Sequence, residues 1–254
     1  MTSINRFIAT AGRIFFPSLL WNKVSTEKIL YLTFDDGPIP EVTPWVLSLL
    51  KEYDAKATFF CIGDNVHKHP DVFKMILADG HRIGNHTFNH LNGWKTSSDN
   101  YLENILQAER TIRDKLQEKL IAAPPSEITK KPQFHYLKTP KERPTNNNSQ
   151  QTTPLQQPTS TGQKLFRPPF GKITPIQIRK LEQQDYKIVM WDVISEDYNP
   201  TKNPESCLKE VKNFSKPGSI VVFHDSLKAY GNLKIILPSV LQHYSQKGYE
   251  FKAL

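Results

Sequence analysis

Cysteine is scarce in this chain, whose 254 residues include only Cys61 and Cys207. They form no Cys-x-x-Cys pair, and two thiols cannot build a framework of disulfides. Cys61 stands within the apolar run 58–62, where a small buried thiol fits best. The sequence therefore excludes a disulfide-stapled scaffold, and it gives no indication of the redox compartment.

Long hydrophobic runs are also missing. Residues 14–21 are largely apolar, but Arg13 precedes them and Pro17 divides them, whereas a membrane-spanning helix needs about 20 apolar residues. A secretory signal would need a longer apolar core and a cleavage site of small residues. We therefore expect a cytoplasmic or peripheral membrane protein. Residues 1–26 are predicted to form an N-terminal extension that either packs on the domain or rests on a membrane surface.

Acidic residues are outnumbered, 25 against 33 lysines and arginines, which gives a net charge of +8. Roughly half of this excess lies between residues 120 and 165, a stretch rich in Pro, Thr, Gln, Asn and Lys. We interpret residues 121–163 as a flexible, solvated insertion. Because much of the charge is there and no recognition motif accompanies it, we expect no nucleic-acid partner. The sequence carries no signal of an oligomeric state.

Strand-like and helix-like segments alternate along the rest of the chain. Short apolar runs such as 29–34, 187–193 and 219–224 are typical of buried strands, and Thr-Pro pairs are typical of helix starts. About seven strands and six helices follow one another, which is the pattern of a parallel α/β barrel or open sheet. The sequence predicts one such domain over residues 27–254, interrupted by the insertion.

Side chains with acid–base or metal-binding chemistry stand at the carboxyl ends of the predicted strands. In α/β barrels that face carries the active site, so residues spread over roughly 190 positions are expected to converge on one rim. Taken singly, each could belong to an ordinary turn or surface ion pair, but their shared position favours a functional site. The residues concerned are Asp35, Asp36, His86, Arg167, Asp192 and His224.

Two adjacent carboxylates and a pair of histidines predict a metal-assisted hydrolase. In Asp35-Asp36 one carboxylate can hold a metal while the other stays free as a base. His86 and His90 are four residues apart and direct two imidazoles the same way. Two neutral imidazoles and one carboxylate form a catalytic zinc shell with an open position for water. Arg167, stiffened by the two prolines that follow it, would keep a neighbouring carboxylate ionised.

These residues resemble the motifs of the polysaccharide deacetylase family, also called the NodB-homology domain or carbohydrate esterase family four. The resemblance covers residues 29–254 apart from the insertion. It implies a distorted (β/α)7 barrel that removes acyl groups, usually N-acetyl, from the sugars of a polymer. The motifs are Thr33-Phe-Asp-Asp-Gly-Pro38, His86-Thr-x-x-His90, Arg167-Pro-Pro-Phe-Gly171, Asp197-Tyr198 and Ile220-Val-Val-Phe-His224.

The resemblance also implies a role for each residue. The metal ligands would be Asp36, His86 and His90, with zinc as the default ion and cobalt, nickel or manganese as alternatives. The catalytic residues would be Asp35 as base, Arg167 as its orienting partner, His224 as acid and Asp197 as the carboxylate partner of His224. Asp192 is the second candidate for that last role. The substrate pocket would be formed by Pro169, Phe170, Tyr198 and Val222.

Three pocket positions depart from the family pattern. Phe170 replaces a common tyrosine, Tyr198 a common tryptophan and Val222 a common leucine, so the acyl pocket is expected to be reshaped. The sequence does not decide whether the substrate polymer is peptidoglycan or chitin-like N-acetylglucosamine. O-acetyl xylan, a lipid-linked formamido sugar and a catalytically inactive carbohydrate-binding relative are the alternatives. An iron oxygenase would share the ligand types, but α/β alternation does not suggest its jelly-roll fold.

Overall fold

The computed structural model describes residues 11–122 and 163–254. Apart from its first two residues and its last, the insertion expected at 121–163 lies outside this described part. The strands are β1 (Ile29–Asp35), β2 (Thr58–Cys61), β3 (Arg82–Asn85), β4 (Lys164–Phe166), β5 (Tyr186–Ile188), β6 (Val193–Ile194), β7 (Ile220–His224) and β8 (Glu250–Phe251). The helices are α1 (Thr43–Glu52), α2 (Gly63–Lys68), α3 (Pro70–Ala78), α4 (Ser98–Ala122), α5 (Pro175–Glu182), α6 (Pro204–Phe214) and α7 (Leu227–Gln246).

All the strand pairings are parallel, in the order β5-β4-β3-β2-β1-β7-β6, with β8 beside the start of β1. The central strand β1 places Asp35 opposite Phe60 of β2 and His224 of β7. The predicted fold, a distorted (β/α)7 barrel in a single α/β domain, is confirmed, since the parallel sheet is curled and its strands alternate with helices. The described residues form one strand more than expected, because the run 187–193 is divided between β5 and β6. These two strands pair at opposite edges of the sheet, so the intervening residues must cross between the edges.

Helix starts follow local chemistry that the sequence makes visible. Proline occupies the first turn of α1, α3, α5 and α6, where its missing N–H costs no helical hydrogen bond. Thr174 and Gln177 form a complete capping box at the start of α5. Asn203 caps α6 by accepting a hydrogen bond from the backbone N–H of Ser206. These caps fix where each crossover helix begins after its strand.

The core forms on both sides of β1, all of whose residues are buried. Phe34 lies between Phe59 and Phe223, with ring centroids at 5.0 and 5.8 Å. Burying one phenylalanine contributes about 1.5–3 kcal/mol to folding. This packing fixes β1 against β2 and β7, the two strands that flank the carboxylates at its end.

Part of the predicted N-terminal extension pairs with the sheet. Leu20 forms a parallel bridge with Val189, just after β5, and Asn22 forms an antiparallel bridge with Ser219, just before β7. The Trp21 side chain between them is 6% exposed. Residues 20–22 therefore connect two separated parts of the sheet, while the domain boundary at residue 26 stays a prediction. Within the described ranges, no helix combines the length and hydrophobicity that crossing a bilayer requires.

Candidate active site

The carboxyl edge of the sheet surrounds a cavity of about 580 Å³. Because the strands are parallel, the residues that end or follow them meet at this edge. Of the predicted residues, Asp35, Asp36, His86, His90, Phe170, Tyr198, Val222 and His224 line the cavity. Pro169 does not: it is buried, and its neighbour Pro168 lines the cavity instead.

Asp36, His86 and His90 offer three ligand atoms that all lie within 4.8 Å of one another. His90 Nε2 is 3.3 Å and His86 Nε2 is 3.8 Å from the same oxygen, Asp36 Oδ1. That buried oxygen has no hydrogen-bond partner within the described part of the chain. A divalent cation fits these residues, since one carboxylate oxygen and two imidazole nitrogens converge without satisfying one another.

The loops that carry these ligands adopt a left-handed backbone, with φ of 84° at Asp36 and 57° at His90. Such conformations are unfavourable for residues other than glycine, so surrounding contacts must hold them. The Asn65 side-chain amide donates to the carbonyl of Asp36 at 2.7 Å. In the histidine loop, Asn85 Oδ1 accepts a hydrogen bond from the Thr87 N–H at 2.9 Å. The Thr87 hydroxyl oxygen in turn accepts one from the backbone N–H of Leu91. These polar contacts hold the loops that carry Asp36 and His90 in this conformation.

His86 is held as a neutral imidazole. Its Nδ1 lies 2.8 Å from the carbonyl oxygen of Arg167. A carbonyl can only accept a hydrogen bond, so Nδ1 carries the proton and the lone pair of Nε2 faces Asp36. Burial lowers the pKa of His86 to about 4, although the nearby charge of Asp35 opposes that shift. The imidazole is therefore uncharged at neutral pH.

Asp35 forms a buried ion pair with Arg167, whose Nη1 lies 2.7 Å from Asp35 Oδ1. Burial by itself raises the pKa of the carboxyl group, but the charge of Arg167, followed by His86 and His224, outweighs burial and holds the pKa of Asp35 below its ordinary value. The guanidinium also donates to Thr33 Oγ1, the Val189 carbonyl and the Met190 carbonyl. Asp35 is consequently an oriented, ionised carboxylate beside the cluster of Asp36, His86 and His90.

His224 has the opposite electrostatic surroundings. Its Nδ1 lies 2.7 Å from Asp197 Oδ1, and its backbone N–H donates to the other oxygen of Asp197 at 2.9 Å. Burial alone lowers the pKa of His224, but the charge and hydrogen bond of Asp197, with contributions from Asp36 and Asp35, raise it to about 9. One cavity therefore contains an ionised carboxylate and a protonated imidazole.

The alternative partner, Asp192, lies elsewhere. Its carboxylate pairs with the guanidinium of Arg13 and accepts a hydrogen bond from the Ser219 hydroxyl at 2.7 Å. The structure brings Asp197, not Asp192, to His224. Asp192 instead ties the N-terminal segment to the start of β7.

Several residues at the cavity are not among those that the sequence motifs predict. Trp21 reaches the cavity from the N-terminal segment, Asn65 from the start of α2 and Lys228 from the first turn of α7. Asp225, next to His224, is fully buried and accepts from the Gly37 N–H at 3.0 Å and from the Thr43 hydroxyl at 2.6 Å. It thereby holds the turn that follows Asp35 and Asp36. Its place directly after a strand-end histidine is the one available sequence clue.

Comparison with known proteins places these features in a family. A family model described as polysaccharide deacetylase matches residues 22–138. A peptidoglycan-N-acetylglucosamine deacetylase of Bacillus cereus is 32% identical over 91% of this chain and 88% of that protein. The peptidoglycan-N-acetylglucosamine deacetylase PgdA of Listeria monocytogenes is 28% identical over 90% of this chain, which spans 38% of its length.

Solved structures agree with the sequence relatives. The crystal structure of the Bc1960 peptidoglycan N-acetylglucosamine deacetylase matches with a TM-score of 0.74 and 25% identity, over 97% of this chain and 95% of the other. The predicted family is thus confirmed, and with it the hydrolase class. This chain belongs to the polysaccharide deacetylase family, carbohydrate esterase family four.

Proposed function

We propose that this chain is a metal-dependent hydrolase that removes N-acetyl groups from N-acetylglucosamine units of peptidoglycan or of a chitin-like polymer. The observation that carries the proposal is the pairing of opposite electrostatics in one cavity: Asp35 is held ionised by Arg167, and His224 is held protonated by Asp197. An amide hydrolase needs such a base and such an acid on either side of the scissile bond.

The metal would be held by Asp36, His86 and His90, and zinc is the ion we propose. When bound, a divalent ion supplies a Lewis acid for the amide carbonyl and lowers the pKa of a water molecule. Asp36 Oδ1, which has no hydrogen-bond partner among the described residues, supports this assignment. Asp35 is not among the three clustered ligand atoms, and Arg167 orients its carboxylate through Oδ1 at 2.7 Å, so we assign it to the base and not to the metal.

Asp35 is proposed as the general base. Its carboxylate takes a proton from the attacking water while the oxygen of that water bonds to the carbonyl carbon of the acetamide. The salt bridge from Arg167 orients the carboxylate and keeps it ionised. The negative charge that develops on the former carbonyl oxygen needs donors in place beforehand, and we assign the backbone N–H near Phe170 to that role.

His224 is proposed as the general acid. The C–N bond breaks as the imidazolium transfers its proton to the departing nitrogen, which leaves acetate and the free amino sugar. Asp197 stabilises the protonated ring and fixes its orientation through Nδ1. Tyr198 packs edge-on against His224 with ring centroids 4.7 Å apart, so it restricts the ring from the cavity side.

The pocket residues define the space for the acyl group. Phe170 lies edge-on to His90 with centroids at 4.6 Å and is 60% exposed. Val222 and Tyr198 line the same cavity. A small acyl group is the proposed occupant, and the substrate assignment to an N-acetylglucosamine polymer is supported by the names of the relatives.

Metal-dependent release of acetate tests this proposal. The protein is stripped of metal, refilled with zinc, and assayed on N-acetylglucosamine oligomers and on peptidoglycan. Asp35→Asn removes the base, and Asp99→Asn is the matched control because Asp99 pairs with Lys180 on the exposed surface. We expect zinc-dependent release in the wild type and in Asp99→Asn, and none in Asp35→Asn.

Other outcomes would redirect or overturn the proposal. If zinc binds at about one ion per chain but neither polymer releases acetate, the substrate assignment is wrong, and O-acetyl xylan or a formamido sugar becomes the substrate to assay. If no metal binds, the assignment of Asp36, His86 and His90 is wrong and the proposed mechanism fails with it.

A further inference from the structure

One cation at the cavity remains outside the proposed chemistry. Lys228 lines the cavity and is exposed. It is the single lysine or arginine among the described residues of the lining. Its Nζ lies 5.5 Å from the ring centroid of Tyr198, and that ring contacts His224. The Tyr198 ring therefore contacts both Lys228 and His224, the proposed acid.

Lys228 forms no ion pair with a carboxylate within the described ranges; other lysines such as Lys234 share this property, but Lys228 is the one that lines the cavity. Seven other lysines there form ion pairs with carboxylates: Lys68, Lys74, Lys115, Lys180, Lys202, Lys209 and Lys252. For Lys228 the contact found is the face of Tyr198. An ammonium group at a concave surface without an acidic partner is free to bind an anion.

Its position in α7 argues against a role in helix stability. Lys228 is in the first turn of α7, which contains no acidic residue. The start of a helix carries a partial positive charge, so a cation there is unfavourable. A residue placed against this preference, beside the cavity, is better explained by what it binds than by the helix that it belongs to.

We propose that Lys228 is a specificity-determining residue that binds a carboxylate on the polymer, next to the N-acetylated sugar. The inference rests on the proposed function and names its substrate class: an acidic glycan rather than neutral chitin. In peptidoglycan the carboxylate has two sources, the lactyl ether of the adjoining sugar and the peptide stem. A lysine recognises either as a point charge.

Equilibrium binding tests the inference without turnover. Chelator-treated protein is titrated by calorimetry with three tetrasaccharides: a chitin tetramer, a peptidoglycan tetrasaccharide with free lactyl carboxylates, and the same tetrasaccharide with peptide stems on those carboxylates. The proteins are the wild type, Lys228→Met and Lys234→Met. Lys234 is the matched control because it is exposed on the same helix, with its Nζ 5.9 Å from the Tyr230 ring, and does not line the cavity.

We expect Lys228→Met to raise the Kd of the acidic tetrasaccharides about fivefold relative to that of the chitin tetramer. A change of this size corresponds to the free energy of an exposed ion pair. Lys234→Met should leave that ratio unchanged, and added salt should reduce the wild-type preference. A loss confined to the peptide-free tetrasaccharide identifies the lactyl group, and a loss confined to the other identifies the stem. The melting temperature of Lys228→Met should not fall, because Lys228 forms no ion pair within the described ranges and methionine can keep an apolar contact with the Tyr198 ring.

Two results would overturn the inference: the same ratio of Kd values in all three proteins, or no binding of either acidic tetrasaccharide. The hydrolase proposal is judged separately, by acetate release from the zinc-loaded wild type. An inactive protein that still shows the Lys228-dependent preference contradicts the hydrolase and supports the binding role. An active protein without that preference does the reverse.

Discussion

Asp197 contacts His224 twice: one carboxylate oxygen lies 2.7 Å from Nδ1 of the ring, and the other accepts the backbone N–H at 2.9 Å. The ring therefore cannot rotate without breaking the contact between the side chains, and the carboxylate cannot turn without losing the backbone bond. Asp197 is itself fully buried. Such a doubly anchored carboxylate both orients the imidazole and stabilises its protonated form.

Asp197→Asn should shift the alkaline limb of the pH–rate profile. The raised pKa of His224, about 9 against an ordinary 6.5, depends largely on Asp197. An acid catalyst is active while protonated, so kcat/KM in the wild type falls as the pH rises past the folded pKa. In Asp197→Asn this fall should begin near pH 6.5 or below.

The matched control for that experiment is Asp192→Asn. Asp192 was the competing candidate, and its carboxylate contacts Arg13 and Ser219. Its substitution should leave the alkaline limb in place. An alkaline limb that moves in Asp192→Asn and not in Asp197→Asn would show that His224 is not the titrating acid.

Arg167→Met should lower the free energy of unfolding and move the acidic limb of the pH–rate profile to higher pH. Removing one partner of a buried ion pair typically costs about 3–5 kcal/mol, and here it leaves the Asp35 carboxylate buried without its cation. Burial then raises the pKa of Asp35, so the base ionises only at higher pH. Urea unfolding and the pH dependence of kcat/KM measure the two effects.

Arg110→Met is the control for this substitution. Arg110 pairs with Glu103 at 2.6 Å, but both side chains are more than half exposed. Losing an exposed pair of this kind costs about 0–1 kcal/mol. Equal destabilisation by Arg167→Met and Arg110→Met would mean that the buried pair does not contribute as described.

Gly37→Ala should disturb the turn that positions the adjacent carboxylates. A Cβ atom at Gly37 would lie 1.9 Å from Asp225 Oδ2, so either the turn or Asp225 must move. Because Asp36 directly precedes this turn, zinc affinity should fall by about 10-fold or more, the usual effect of disturbing groups behind a metal ligand. Zinc titration by calorimetry measures it.

Gly231→Ala provides the comparison. Position 231 lies within α7, and a Cβ there meets none of the described residues within 4 Å. Alanine in a helix interior is favoured over glycine by about 1 kcal/mol, so this variant should be slightly more stable and bind zinc normally. A similar loss of zinc in both glycine variants would rule out the proposed role of the Gly37–Asp225 contact.

Trp21→Ala should show that the N-terminal segment is part of the catalytic domain. The side chain is 6% exposed, lines the cavity, and donates from Nε1 to the Phe16 carbonyl at 3.1 Å. Truncating a buried aromatic costs about 3–5 kcal/mol, and the enlarged cavity should raise KM. Trp94→Ala is the control for stability, since Trp94 is 65% exposed. Unfolding midpoints that fall equally would contradict the packing role of Trp21.

Much of the fold and the shared edge that carries the site could be predicted, because both depend on the local order of apolar and polar residues. Apolar runs ending in polar residues predicted that Asp35 and His224 would lie on one rim, and the register of β1 with β7 places them directly opposite. The spacing of His86 and His90 predicted that the two imidazoles point the same way, and the structure brings both of them to Asp36. These are consequences of strand direction and loop length, which sequence carries.

What the sequence could not supply depends on long-range placement. Asp192 lies near the end of the predicted strand 187–193 and Asp197 soon follows it, so sequence position alone does not choose between them. In the structure Asp192 pairs with Arg13, from the distant N-terminus, and Asp197 contacts His224. The splitting of 187–193 follows from the edges available for pairing, which no local pattern reveals. Trp21 and Lys228 reach the cavity through tertiary packing alone.

The most direct test of the account is the zinc affinity of Asp36→Asn beside that of Asp35→Asn, measured by calorimetry. The two carboxylates are adjacent in sequence, but Asp35 is engaged by Arg167, whereas one oxygen of Asp36 faces two imidazoles and has no hydrogen-bond partner in the part of the chain that the structure describes. We predict that Asp36→Asn weakens zinc binding about 100-fold or more, while Asp35→Asn still binds zinc and releases no acetate. Strong binding by Asp36→Asn, or loss of zinc from Asp35→Asn alone, would contradict the division of roles between them.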